Sequence, residues 1–256
     1  MRTARVLWAG WWTHFKIVSR SPFAIGVGAT WPIVNATLAY FMYRAGATPR
    51  TLLYASLGSA VAGIWSMAAI DAAGAIQRQR YWGTLELLVA APVRFALVLL
   101  PMMIAIASVG VYCLATTLVW GRLVYGIPLP LAHPFAFLLA VLLTIVSVGV
   151  LGLALCMVLV RFRAAQHIGN SLEYPVWLAS GLLFPLSVLP SWSHPISWSL
   201  ATTWGMRALL HGSLGGPVWR DLGMCALLSL AYGAAGISIL DRFLDAARRS
   251  ATLSLT

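Results

Sequence analysis

The stretch QRQRYWGTLELLVAAPVR, Gln77–Arg94, decides how this chain is to be read. On either side of it lies an apolar run, about 51–76 before and about 95–120 after, and each is long enough to cross a bilayer as a helix. Between them stands a charged, glycine-interrupted, proline-ended patch instead of an ordinary short turn. Gly83 is free to adopt a backbone conformation that other residues avoid, and Thr84 is suited to cap a new helix. Glu86 then falls in the first turn of that helix, where negative charge is favoured, and Pro92 stops it. On residue chemistry alone two readings stand level: a helical turn at the membrane interface, or a short helix that docks on a partner.

Working outward, hydrophobic residues make up 61% of the chain and charged residues 9%, far from the roughly half apolar and quarter charged of soluble domains. The protein is expected to be an all-α integral membrane protein, a single transmembrane domain over residues 1–256 with room for six spans and no sizeable soluble part. The net charge of +11 comes from 17 basic residues spread through the turns between apolar runs. They form no basic stripe, which argues against nucleic acid as a partner. Cys113, Cys156 and Cys225 each lie inside an apolar run, and their odd number and spacing fit neither a disulfide framework nor a zinc site.

At helical spacing over residues 1–20, Arg2, Arg5, Thr13, Lys16 and Arg20 share one arc, and Leu7, Trp8, Trp11, Trp12, Phe15 and Val18 share the other. This pattern predicts a helix lying in the headgroup region, in contact with membrane lipid. Arg2, Arg5, His14, Lys16 and Arg20 also interrupt the apolar core that a cleavable signal peptide needs, so the N-terminus is expected to be retained. The six spans are expected at about 22–43, 51–76, 95–120, 134–160, 172–189 and 222–240, followed by a basic tail over 241–256. The fifth contains Pro175 and Pro185 and is followed by Pro190, so it is expected to be broken or to end early. Residues 190–221 hold Trp192, Trp198, Trp204 and Trp219 among serines and glycines and predict short re-entrant or interfacial helices on the outer side. This layout puts twelve basic residues on one side and five on the other. By the positive-inside rule both termini and the Gln77–Arg94 stretch face the cytoplasm.

At this point the chain resembles a known family. Gly83-Thr84-Leu85-Glu86, followed by Leu87-Leu88 and Pro92-Val93, is similar to the G-T-L-E-x-L…P-V signature of type-2 permeases of the ATP-binding cassette superfamily, chiefly exporters. GLLFPLSVLPSW, Gly181–Trp192, resembles that family's glycine, Phe-Pro and Leu-Pro pattern at the end of the fifth span, and Thr203-Trp204 with Arg207 resembles its Thr-Tyr and Arg. Two departures stand out: the family's acidic residue before Gly-Thr is missing from Gln79-Arg80-Tyr81-Trp82, and its proline is replaced by Ala201. The resemblance implies a permease that pairs with a second permease, identical or sister, and with two nucleotide-binding ATPase subunits. It implies that Gln79, Arg80, Gly83, Thr84, Leu85, Glu86, Leu88 and Pro92 form the surface that couples to them. A phosphate-binding loop needs a lysine after glycine, whereas the sole lysine, Lys16, follows Phe15. The motor is therefore expected in another chain, with ATP and Mg bound there and no cofactor here.

Further candidates are weaker. Trp31, Asn35, Trp65 and Tyr112 are candidates to line a path for an apolar substrate, although aromatic residues also populate membrane interfaces as a belt. Glu173, beside Asn170 and before Pro175, is a candidate for the cytoplasmic mouth of that path, against the plainer reading that it pairs with Arg161 or Arg163. Asp71 lies close enough to Arg78 and the interface to be simply hydrated or paired. Pro185, Pro190, Trp198 and Trp204 are candidates for an outer gate. His14, His133, His167, His194 and His211 are scattered over different turns, which predicts no metal site. No G-x-S-x-G occurs, so an intramembrane hydrolase is not expected.

The competing function is an ion-gradient-driven secondary transporter, which would be expected to show inverted repeats and mid-membrane charges; the spans show neither. The absence of a large outer domain favours a cargo taken from the cytoplasm or inner leaflet: a drug, an antibiotic, a lipid or a lipid-linked glycan. The excess of arginine over lysine points by association to a bacterial cytoplasmic membrane.

Overall fold

The computed structural model describes residues 2–43, 48–81, 83, 96–159 and 165–250, and among these the regular structure is helical, with no strand. Hydrocarbon offers no water to backbone N–H and C=O groups, so an apolar chain that crosses it must satisfy them within its own helices. The helices are α1 (Arg2–Ser19), α2 (Pro22–Tyr43), α3 (Pro49–Tyr81), α4 (Ala96–Tyr125), α5 (Pro134–Leu159), α6 (Ala165–Ser171), α7 (Glu173–Ala179), α8 (His194–Ser199), α9 (Ala201–Leu214) and α10 (Val218–Ser250). Among the described residues four segments are long and apolar enough to cross a membrane: Pro49–Ala69, Leu97–Tyr125, Pro134–Cys156 and Val218–Ile239. α2 adds a shorter apolar run, Ile33–Met42.

The least apolar of the four, in α3, is the most buried, and it forms the centre of the molecule. Its Ala55, Ser56, Gly58, Ser59, Ala60, Ala62, Ser66, Ala68 and Ala69 are small, which lets neighbouring backbones come close where dispersion contacts must hold helices together. Ser59 returns its hydroxyl to the Ala55 carbonyl four residues back, at 2.7 Å, so its polarity is satisfied within the helix. Contacts along the helices give their directions. Gly110 of α4 faces Ile64 and Gly121 faces Ser56, so α4 runs antiparallel to α3. Cys113 Sγ meets the Gly28 carbonyl at 2.9 Å, and Trp120 Nε1 donates to Thr37 Oγ1 at 3.2 Å, so α2 runs parallel to α4. α1 lies on α4, with Gly10 against Pro101 and Trp11 Nε1 donating to Ser108 Oγ at 3.1 Å. The starts of α3, α5 and α10 thus gather at one end of the molecule, called here the Pro134 end. Tyr81 and the start of α4 mark the other.

The fifth expected span differs most from the helix drawn from sequence over 172–189. Helix is present over Ala165–Ser171 and Glu173–Ala179, interrupted at Leu172, and it stops at Ala179. The stop has a local cause. Gly181 takes φ +68°, and Leu182 N–H donates to the Trp177 carbonyl at 3.0 Å, a glycine-based helix terminator. Pro185 and Pro190 then each precede a single 3-10 turn, Leu186–Val188 and Ser191–Ser193, because neither proline has an N–H to continue a helix.

After α8 the chain turns at Leu200 and rises as α9, which lies antiparallel to α5. Gly205 packs on Thr144, and Gly212 packs on the backbone of Phe137, where an added Cβ would stand 3.0 Å from Phe137 Cα. The N–H groups of Ala132 and His133 donate to the carbonyls of Ser213 and Gly212 at 3.0 and 2.9 Å, tying the end of α9 to the start of α5. At its deep end, Tyr232 Oη donates to the Ser199 carbonyl at 2.5 Å. Tyr232 stands about 20 Å along α10 from Val218, so the turn between α8 and α9 lies about 20 Å from the Pro134 end.

Candidate functional site

At the Tyr81 end, α3 continues as helix beyond its apolar segment through Gln77, Gln79 and Arg80 to Tyr81, which is exposed. Gly83 follows in a turn with φ +65°, also exposed, and a Cβ there would touch nothing within 4 Å. The left-handed conformation, not crowding, is what calls for glycine at this position. The side chains of Gln79 and Arg80, and all of Thr84, Leu85, Glu86, Leu88 and Pro92, lie outside the described residues.

Glu173 sits at the start of α7 and accepts a hydrogen bond from the hydroxyl of Ser66, deep on α3. Arg161 and Arg163, its candidate partners from sequence, lie outside the described residues. The contact joins the broken fifth segment to the central helix. A second joint lies nearer the Pro134 end, where Tyr54 Oη donates to the carbonyl of Gly181 and approaches that of Phe184 at 3.2 Å. Between the two, Gly58 lies against the Leu182 carbonyl.

The four path candidates do not come together around one cavity among the described residues. Trp65 is a core residue, 4% exposed, whereas Trp31 and Tyr112 lie on the outer surface of α2 and α4. Asn35 is half-buried, and its Nδ2 donates to the Trp31 carbonyl at 2.9 Å, one turn back in its own helix. An open groove of about 640 Å³ lies elsewhere, at the Pro134 end, lined by Leu118, Val119, Arg122, Leu123 and Pro128–Pro130. Among the described residues no group of histidines, cysteines and carboxylates is arranged to hold a metal ion.

The four gate candidates lie on the segment that runs from the end of α7 through α8 into α9. Trp204 is buried, and its Nε1 donates to the Trp198 carbonyl at 2.9 Å, which closes the turn between α8 and α9. Trp198 is itself exposed, as are Val188, Trp192 and Ile196, so this segment presents apolar side chains outward. His194 Nε2 lies 3.1 Å from the Leu186 carbonyl and fastens α8 to the first 3-10 turn.

Sequence reasoning missed the most polar construction in the molecule. Asp221, in the first turn of α10, is fully buried. His211 Nδ1 lies 2.5 Å from its Oδ2, and Arg207 Nε lies 3.4 Å from its Oδ1. Arg207 also lies over the Trp204 ring, 5.0 Å from its centroid. The signal was present but spread out: Arg207 and His211 are one helical turn apart, and the carboxylate follows across the Gly215-Gly216-Pro217 turn, at a helix start where negative charge is favoured.

A bundle of helices in which four segments are long and apolar enough to cross a membrane defines an integral membrane protein. The family profile described as ABC-2 type transporter matches residues 5–214, most of the chain, and the protein belongs to that family. It is the permease component of an ATP-binding cassette transporter, a membrane part that is not itself catalytic, in a family that normally works with ATP-binding subunits. No curated protein matches the chain.

Proposed function

We propose that this chain is the permease of an ATP-driven exporter in the bacterial cytoplasmic membrane, working with a second permease and two ATPase subunits. The Tyr81 end faces the cytoplasm. There the ATPases bind ATP and Mg and engage the stretch from Gln79 to Pro92. The observation that carries this reading is the course of α3. Its helix runs unbroken past the end of the apolar run at Ile76, through Gln77–Arg80, for about 8 Å to Tyr81 and then turns at the exposed, left-handed Gly83. A stiff central helix that leaves the hydrocarbon before turning is suited to pass displacement from a motor to the core. Glu86 and Leu88 are the docking residues after the turn, and Pro92 ends the docking helix so that its movement enters α4. The cargo is a drug, an antibiotic, a lipid or a lipid-linked molecule taken from the cytoplasm or inner leaflet, and the re-entrant hairpin carrying Trp198 and Trp204 guards its exit.

The test is coexpression with a candidate ATPase and reconstitution, with transport and ATPase activity measured together. Glu86→Arg and Gly83→Pro are expected to uncouple transport from ATP hydrolysis or to weaken ATPase docking, while insertion of the permease stays intact. Wild-type transport and unchanged motor affinity in both variants would mean that the stretch is only an interfacial turn.

A further inference from the structure

α9 is buried on nearly every side: Ala201 to Met206, Ala208 to Leu210, Gly212 and Ser213 all pack inside the chain, against α5, α10 and α3. One stripe of the helix remains open, and it consists of Arg207, His211 and Leu214. The register of α9 on α5 fixes its depth. With Gly205 opposite Thr144 and Gly212 opposite Phe137, Arg207 is level with about Leu142, some 12 Å along α5 from Pro134. A cation at that depth meets hydrocarbon unless polar groups face it, and such residues almost always line the interior or a water-filled cavity.

Asp221 accounts for only part of what these side chains offer. Its carboxylate engages Nε of Arg207 and Nδ1 of His211. A guanidinium carries five N–H donors, and the ion-pair contact with Asp221 is through Nε alone, at 3.4 Å. Arg207 is 35% exposed by side chain and is held over Trp204, so its orientation is set while its donor end stays open. One buried carboxylate thus orients two basic side chains, of which Arg207 is the more exposed.

We propose that the Arg207–His211 stripe binds the oxyanion head group, phosphate or carboxylate, of an amphiphilic cargo on its way through the membrane. The inference rests on the permease reading and narrows its cargo to anionic amphiphiles. An amphiphile is favoured over a free anion because the stripe lies inside the apolar layer, where a bare hydrated ion would have to shed its water. Arg207 is the residue that touches the head group, by the paired N–H geometry that matches oxyanions. Asp221 is a positioning residue, buried behind it. Leu214 gives the stripe an apolar flank for the first carbons of the tail.

Binding is measured on the purified permease without any ATPase, so a failure here is separate from a failure of motor coupling. Native mass spectrometry titrates the wild type, Arg207→Gln and Arg207→Lys with dioleoylphosphatidylglycerol, oleate and dioleoylphosphatidylcholine, with inorganic phosphate as the free-ion arm. The wild type is expected to bind the two anionic amphiphiles over the zwitterionic lipid and to ignore free phosphate. Arg207→Gln should lose at least about tenfold in affinity for both, the size of one charge-assisted hydrogen bond. Arg207→Lys should fall between, because an ammonium keeps the charge but not the fork. If Arg207→Gln does not fold, the lysine variant and the lipid preference of the wild type decide. Equal affinity of wild type and a folded variant for phosphatidylglycerol and oleate, no anionic preference in the wild type, or tight binding of free phosphate would overturn the proposal.

Discussion

Gly58→Ala tests the packing of the broken fifth segment on the central helix with a single methyl group. A Cβ built on Gly58 stands 1.9 Å from the carbonyl oxygen of Leu182 and 3.0 Å from its carbonyl carbon. Contacts to a Cβ below 3.0 Å are essentially never seen, so the two backbones must separate by about 1.1 Å. No flexible side chain lies in between to absorb the shift. The move also pulls Gly181 away from the Tyr54 hydroxyl, which donates to its carbonyl. Overpacking costs about 1–3 kcal/mol and the lost hydrogen bond about 1 more, so the total is about 2–4 kcal/mol. At about 2–4 °C per kcal/mol for a chain of this size, the variant should melt roughly 4–16 °C below the wild type. The control is Gly152→Ala on α5. It is equally buried, but its added Cβ meets Ala68 O at 3.7 Å and Ala72 Cβ at 3.8 Å, ordinary contact distances. That variant should melt at or slightly above the wild type, because alanine is the better helix former by about 0.5–1 kcal/mol. Thermal melting of the three purified proteins, followed by loss of monodisperse protein, decides the matter. Equal melting of Gly58→Ala and Gly152→Ala would refute the close approach of Leu182 to α3.

Asp221→Ala leaves Arg207 and His211 without their buried carboxylate and should cost about 2–3 kcal/mol, read as a melting point lower by several degrees, with Asp221→Glu recovering part of it. Trp204→Phe keeps an aromatic ring but removes the pyrrole part of the indole and with it the bond to the Trp198 carbonyl. It should cost about 1 kcal/mol and speed proteolysis in the Leu186–Leu200 segment, whereas an unchanged cleavage pattern would mean that this bond does not hold the hairpin turn. For orientation, Tyr81→Cys and Trp219→Cys replace exposed side chains at opposite ends of the molecule. A membrane-impermeant thiol reagent added to intact cells should label the cysteine at 219 and not the one at 81, and the reverse pattern would invert the topology.

Much of the architecture was legible in single residues and their local spacing. The apolar runs around Thr51–Ile76, Phe95–Trp120 and Pro134–Val160 are long enough that hydropathy alone marks helices there, and Gly83 announced a turn that only glycine takes easily. Pro175, Pro185 and Pro190 warned that the fifth segment would not run through, since a missing N–H is a property of the residue itself. Where that helix stops was set by Gly181 and its terminator bond to Trp177, together with Tyr54 and Gly58 of α3, which receive the chain as it leaves the helix.

The sequence alone did not show which side of each helix faces protein and which faces lipid. In water, an apolar stripe opposite a polar one reveals the buried face. In a bilayer the tails are as apolar as leucine, so a helix such as α3 or α5 carries apolar residues all round and its rotation leaves no pattern to read. This is why Trp65, a plausible path residue in the sequence, is core, and why Trp31 and Tyr112 lie on the surface instead of beside it. It is also why the sequence shows Arg207 only as part of a family-like pattern, His211 only as one of five scattered histidines, and Asp221 as a partner of neither. Their meeting depends on Gly205 and Gly212 setting the register of α9 on α5, and on a three-residue turn that brings α10 back alongside. Composition and spacing specified that the chain enters the membrane as helices. The close approach of small residues across helices, a pairwise property that no single position carries, decided which polar groups meet there.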